Sequence, residues 1–481
     1  MASSPGSAST AHPRATEAAL AVFPAGGNAV DAAIAAQAVL TVLMPDACGL
    51  GGDALCLVRT PDGRVTAVTG AGATAAASPR ALCSDGGGSV TVPGIVDAWQ
   101  VMSHRWGRLP LAQVLAPAIA LAADGMRVSE PLAAAVRAQR ARLLRGGAEG
   151  WPLLDAAPGD LVTQKELART LERIAAEGSP AFYQGRLAGA VAAAVRRDGG
   201  LLTEDDLARH RTPTGPPIGT PWDGGTAFVQ PSPSQGVLLA MALAWLEREG
   251  VPGPLDHVCV ELTEAVFAAR DRCARDGARL LDVPLRVDLE RSSLRGGPRA
   301  YLHTAGVATA DPAGHVVSSL VSVFDDFGSC TFVPEGGFTL NNRAGGFTAP
   351  PNDPGPARRP VHTLAPALLT APGRVTALAT PGADGQVQTL LQVLARVRFT
   401  GSSLADAVRA PRWRSEEGLL LVEDGHASAG DLARRGHRVT RVPGADMRLG
   451  AVVAAGAENG EVFCAGDWRR QVHAAVAEPS V

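Results

Sequence analysis

Asn28 to Met44 is rich in alanine and contains an apolar run from about Ala32 to Met44, with Asp31 upstream and Gln37 inside. A stretch apolar on nearly every side predicts a helix buried all round, and it is too short to span a bilayer. Gly49-Leu-Gly-Gly52 reads as a tight turn into an apolar strand from Ala54 to Arg59. Pro110 to Ala123 predicts a helix ending near Gly125, and Thr163-Gln-Lys-Glu166 a capping box opening a helix that stops at Gly178, so the middle of the chain is helical. The Pro- and Gly-rich segment from Thr212 to Gly225 reads as a surface crossing, followed by strand-like Ala227-Phe-Val229 and a helix from Gln235. Val307 to Ala310 and His315 to Phe324 predict two strands joined by a type I turn at Asp311-Pro312-Ala313-Gly314. With a simple turn Thr304 lies opposite Val321; one bulged residue brings it opposite Ser322. Beyond Val316 strands alternate with helices at Val387 to Val397 and Leu404 to Arg409, which predicts mixed α and β with several antiparallel pairs.

Composition narrows the function classes. Of 481 residues 19% are charged, and the net charge is -3, so no basic field exists to hold nucleic acid or an anionic membrane. Lys165 is the only lysine, which leaves a P-loop, a Ser-Lys dyad or a Schiff base nowhere to reside. The glycines at Gly49 to Gly52 follow a helix and open a strand, the reverse of a dinucleotide fingerprint. Seven cysteines without a Cys-x-x-Cys pair fit reduced thiols rather than disulfides or a zinc site. The start of the chain has neither a basic region nor an apolar core, so residues 1–11 are expected to be a disordered extension and the protein cytoplasmic.

Five ordered stretches carry a family resemblance: Gly26-Gly-Asn-Ala-Val-Asp-Ala-Ala33, Val92-Pro-Gly94 with Trp106-Gly-Arg-Leu-Pro110, Leu340-Asn-Asn342, Thr380-Pro-Gly-Ala383, and the closing Ala465-Gly-Asp-Trp-Arg-Arg470. From His12 to the carboxyl end the chain resembles the γ-glutamyltransferases, which are N-terminal nucleophile hydrolases. The resemblance implies an α+β fold, a four-layer αββα sandwich with an additional helical lobe, forming one folded unit. It also implies self-cleavage between His303 and Thr304 into a large fragment, 12–303, and a small fragment, 304–481. Thr304 would be the nucleophile. A threonine hydroxyl reacts poorly at its own pKa, but a freed α-amine of pKa about 8 can take its proton. By the same resemblance Gly382 and Ala383 supply the backbone N–H groups that stabilise the acyl oxyanion, and Ser322 is the second hydroxyl beside Thr304. Ala383 replaces a glycine of the family and disfavours positive φ.

The family's amino-acid recognition has changed. The position of its carboxylate-binding arginine falls at Gly70, its strand asparagine at Phe324, its acids at Arg343 and Gly346, and its serine pair at His362-Thr363. Asn342 adjoins the same pocket. Arg343 would repel an ammonium and pair with a carboxylate or keto-acid oxygen; a salt bridge to Asp325, Asp326 or Glu335 is the alternative. The expectation is therefore a self-processing hydrolase acting on a small anionic substrate, with either an amide or a carbon–carbon bond next to a keto group cleaved. The latter would resemble a family branch associated with alkylproline units in actinobacterial antibiotics. A γ-glutamyl hydrolase or transpeptidase, and an uncleaved non-catalytic homologue, remain the rivals. No cofactor and no metal are expected; the partners are the substrate and the two fragments of the chain, with a homodimer as an open assembly.

Overall fold

The computed structural model describes residues 6–294 and 304–478, so Thr304 is described and His303 lies outside the described residues. Two antiparallel sheets face each other. The first runs His473–Val476, Ser7–Thr10, Ala305–Ala310, Val316–Ser322, Asp53–Arg59, Val65–Gly70, Thr214–Gly215. The second runs Glu461–Gly466, Val453–Glu458, Arg374–Ala379, Ala367–Ala371, Gly225–Val229, Ile218–Trp222. Leu55, Leu57, Ala308, Val316 and Leu320 of the first sheet pack against Leu368, Ala377, Ala379 and Val453 of the second. The outer face of the first sheet is covered by Ala29–Leu43 and the helical lobe within 95–208, and that of the second by Gly236–Glu249, Leu255–Phe267 and Gly385–Thr400. The result is the expected αββα sandwich.

Both flanks of each sheet are covered, which is why its central strands are apolar or small throughout instead of alternating. All fifteen residues of Ala29–Leu43 are buried, and Gln37 inside that helix is satisfied by the Ser319 hydroxyl at 2.8 Å and the Trp99 indole N–H at 2.8 Å. Asn28 caps the helix, accepting from the N–H groups of Val30 and Asp31, while Asp31 accepts from the Asn28 N–H. Asn28 also donates to the Trp106 carbonyl, joining two of the motif stretches to each other. Among the described residues no helix is long and apolar enough to cross a membrane.

Three expectations are corrected. Ser7–Thr10 is a buried strand rather than part of a disordered extension, because the small residues fit between the sheets and the Ser7 and Ser9 hydroxyls donate to the Phe463 and Ala465 carbonyls of the second sheet. The helix expected from a capping box at Thr163 begins at Lys165 without a side-chain cap; Gln164 is held instead by the Ala122 carbonyl and by its own amide on Val42. The segment from Thr212 to Gly225 is not a bare crossing but supplies strands to both sheets.

Candidate active site

The hairpin places the expected nucleophile. Gly314 takes φ 99°, adding a bulged residue after the type I turn, so Ala310 pairs with Val316 and Ala305 with Val321. Thr304 therefore stands beside Ser322, the second of the two registers anticipated, and its hydroxyl donates to the Ser322 Oγ at 3.3 Å. The Phe324 N–H donates to the same Oγ at 2.9 Å. One strand further, Ser322 pairs with Asp53. Directly paired residues share a sheet face, so Thr304, Ser322 and Asp53 form a row that faces the second sheet. Gly306, two residues along the same face, lies so close to Val453 that a Cβ there would come within 2.9 Å of it.

The loop Thr380-Pro-Gly-Ala383 leaves the second sheet after Ala379, which lies across from Gly306. Gly382 and Ala383 have φ of 118° and 47°. Ala383 thus holds the left-handed conformation that its methyl disfavours, at a cost of about 1 kcal/mol. Among the described residues no acceptor is bonded to either N–H group, although both carbonyls are engaged: Gly382 O accepts from the Gly385 N–H and Ala383 O from the Gln235 amide. Gln235, which sequence reasoning missed, also donates to the Thr363 carbonyl at 2.9 Å and so ties this loop to the wall beyond it.

That wall holds Arg343. Its Nε donates to Asp53 Oδ2 at 2.9 Å, its Nη1 to the Thr363 hydroxyl at 3.3 Å, and its guanidinium lies 4.7 Å over the Phe324 ring. The partner is thus Asp53, not Asp325, Asp326 or Glu335. His362 Nε2 lies 3.1 Å from the same carboxylate oxygen, and its Nδ1 accepts from the Leu364 N–H, which fixes the neutral tautomer with the proton on Nε2. Burial and the Arg343 charge push the His362 pKa down to about 4. Burial opposes the Asp53 carboxylate, yet the His362 hydrogen bond and the Arg343 charge hold its pKa below the ordinary value. Arg343 Nη2 and Asp53 Oδ1 are buried with no hydrogen-bond partner. Phe324, at φ 87°, holds its ring against the guanidinium from a strained backbone.

Asn342 faces away from this wall: its amide oxygen accepts from the Asp325 N–H, and its amide nitrogen donates to Asp325 and to the Ser84 carbonyl. Gly70 has no room for a side chain, since a Cβ would come within 2.5 Å of Ala98. Asp53 escaped notice in the sequence because the strand was taken to begin one residue later; an acid heading an apolar strand after Gly51-Gly52 was the available signal. Thr304 also lines a cavity of about 220 Å3 whose walls include Met44, Asp46, Leu132, Pro381, Met447 and Arg470.

The gamma-glutamyltranspeptidase family model matches residues 15–288 and 288–477. The chain is 32% identical to the oxamate amidohydrolase proenzyme of Klebsiella pneumoniae subsp. pneumoniae over 85% of its length and 84% of that protein. It is also 32% identical to the acylase ACY 1 proenzyme of Pseudomonas sp. (strain SE83), over 90% and 87% of the two chains. The crystal structure of cephalosporin acylase from Bacillus halodurans superposes with a TM-score of 0.84 at 28% identity, covering 99% of this chain and 96% of that one. With the sandwich, the motif order and these likenesses in agreement, the chain belongs to the gamma-glutamyltranspeptidase family of N-terminal nucleophile hydrolases.

Proposed function

We propose that the protein is a self-processing amidohydrolase that cleaves before Thr304 and then uses that residue on the amide of a small anionic acid. The observation that carries the reading is the buried Arg343, whose Nη2 is left without a partner in the wall two strands from Thr304. Arg359 adds a second guanidinium near Asp53, with its Nε likewise buried and unpartnered. Asp53 neutralises one of these cations and His362 is neutral, so the wall keeps a net positive charge suited to a carboxylate or keto oxygen. Among the described residues, Asp53 is paired with Arg343, Asp325 is bonded to Asn342, and Asp384 is paired with Arg270 at 3.1 Å. The relatives named as an oxamate amidohydrolase and as acylases support amide cleavage.

In the first step the Thr304 hydroxyl attacks the His303 carbonyl and the peptide C–N bond breaks, which forms an ester and frees the α-amine; water then hydrolyses the ester to the His303 carboxylate and the Thr304 hydroxyl. In turnover that amine accepts the hydroxyl proton, Thr304 Oγ1 attacks the substrate amide carbonyl, and the N–H groups of Gly382 and Ala383 hold the oxyanion. The leaving amine takes the proton and departs into the cavity beside Met447 and Leu132; water then releases the acid. Denaturing intact-mass analysis tests the first step. Wild type should give two fragments divided at Thr304, and Thr304→Ala a single chain. Hydrolysis of oxamate and of monoamides of small dicarboxylic acids, compared with a γ-glutamyl anilide, tests the second. An intact wild-type chain, or turnover favouring the γ-glutamyl compound, would overturn the reading.

A further inference from the structure

A second cluster of ionisable side chains lies far from Thr304 in the fold's outer layer. His257 and Glu261, four residues apart on the buried helix Leu255–Phe267, share one face of it and meet His437, which precedes the strand Val439–Val442. One donor atom from each lies within 4.8 Å of the other two. His257 Nδ1 is 2.8 Å from His437 Nε2, and the rings are edge to face. All three residues are buried. The backbone of Asp288 lies beside the other edge of the His257 ring. The sequence shows no short-spaced metal motif because Glu261 and His437 lie 176 positions apart.

We propose that His257, Glu261 and His437 bind one zinc ion that joins the two halves of the chain. Two imidazole nitrogens and a carboxylate oxygen are a familiar zinc donor set, with water as the fourth ligand. Tetrahedral bonds of about 2.0–2.1 Å put donor atoms about 3.3 Å apart, so the imidazole pair at 2.8 Å would open and the group, within 4.8 Å, would close around the ion. Glu261 brings a negative charge to set against the dication. The surroundings also resemble an outer shell. The Ser293 N–H and hydroxyl donate to the two Glu261 oxygens at 3.0 and 2.5 Å, orienting the carboxylate while leaving it lone pairs for a metal.

The location gives such an ion a structural task. His257 and Glu261 precede Thr304 and His437 follows it, so after the proposed cleavage the ion would bridge two separate polypeptides; that part rests on the cleavage reading. Ser293 lies next to Leu294, the last described residue before the proposed cut, and Ser292 donates to the Arg435 carbonyl while Arg435 donates to the Leu289 and Glu290 carbonyls. The segment 289–292 is thus already fastened beside His437.

The test is metal content and Co2+ spectroscopy on the full chain. After incubation with Zn2+ and desalting, elemental analysis should give about one zinc per chain, and Co2+ should give the visible absorption of a tetrahedral N/O site. Glu261→Gln, which preserves shape, should weaken the metal at least tenfold, and His437→Ala should abolish it. EDTA should lower the Tm of wild type and leave that of His437→Ala unchanged. Thr304→Ala should keep its zinc as an uncut chain, so a failure to cleave and a failure to bind are read separately. Substoichiometric zinc with no Co2+ spectrum, or equal zinc in wild type and His437→Ala, would overturn the proposal and leave a plain imidazole–imidazole hydrogen bond.

Discussion

Arg469 and Arg343 lie equally deep, 0% and 1% exposed, but use their donors differently. Arg469 spends every nitrogen: Nε and Nη2 on Glu423 at 3.1 and 2.5 Å, Nη1 on Asp467 at 2.9 Å, and further bonds to the carbonyls of Val408 and Ala410. Arg343 has one carboxylate contact, one hydroxyl at 3.3 Å and an Nη2 with nothing. A buried guanidinium left short of partners costs stability. The fold tolerates that shortage beside Thr304 and avoids it at Arg469, where the closing motif Ala465 to Arg470 locks the end of the second sheet. Under the proposed function, the difference separates a residue kept for folding from one whose open donor is kept for the substrate.

The largest effect expected from this contrast is on stability. Arg469→Met leaves the buried Glu423 without a counter-ion and Asp467 with Arg412 alone, and should cost about 3–5 kcal/mol, read as a drop in the urea midpoint at unchanged slope. An unaltered midpoint would show that the dense bonding at Arg469 is not what holds this region.

Arg343→Met should act mainly on turnover. Losing a buried charge-assisted contact to the substrate costs roughly 2–5 kcal/mol in kcat/KM. The single variant also leaves Asp53 with only His362, so some stability is lost with it. Asp53→Asn combined with Arg343→Met removes both charges and should recover the melting temperature without recovering turnover. If the double variant regains activity, Arg343 serves only to neutralise Asp53.

Much of this site was readable from residue order, and what was not has a physical cause. The hairpin, the Asn28 cap and the 380–383 loop are set by short-range signals: a Pro-Ala-Gly turn, a capping asparagine, a Pro-Gly pair. The partner of Arg343 is set by sheet register, which brings Asp53 across 290 positions and has no local signature. Even the placement of Thr304 against Ser322 hung on a single bulged glycine, Gly314. Ser7–Thr10 was misread because serine and alanine suit both a solvated tail and a strand squeezed between two layers.

His362 gives the same wall a pH dependence. In the unfolded chain an imidazole takes its proton near pH 6.5; buried beside Arg343 it does so only near pH 4. Between those values the unfolded state binds more protons, so the contribution is complete above pH 6.5 and is lost as pH falls toward 4, by up to roughly 3 kcal/mol. His210 is pushed down to about 4 as well and titrates over the same interval. The informative quantity is therefore the difference between wild type and His362→Gln, which keeps a donor for Asp53 without the titration. A pH-independent difference would remove His362 from this account.

The smallest effect concerns the loop facing Thr304. Ala383 sits at φ 47°, 5% exposed, after Gly382 at φ 118°. Glycine adopts this conformation without the clash of Cβ against its own carbonyl, but the unfolded chain gains entropy when glycine replaces alanine. The two terms oppose each other, and the strain of about 1–2 kcal/mol exceeds the entropic penalty of about 0.4–1 kcal/mol. Ala383→Gly should therefore leave the protein unchanged or more stable by up to about 1 kcal/mol, with the N–H donor retained and turnover within a few-fold of wild type. Thermal unfolding and kcat measured on one preparation decide it. A clear destabilisation would mean that the Ala383 methyl makes packing contacts worth more than the strain, and that the left-handed backbone is not where this loop is costly.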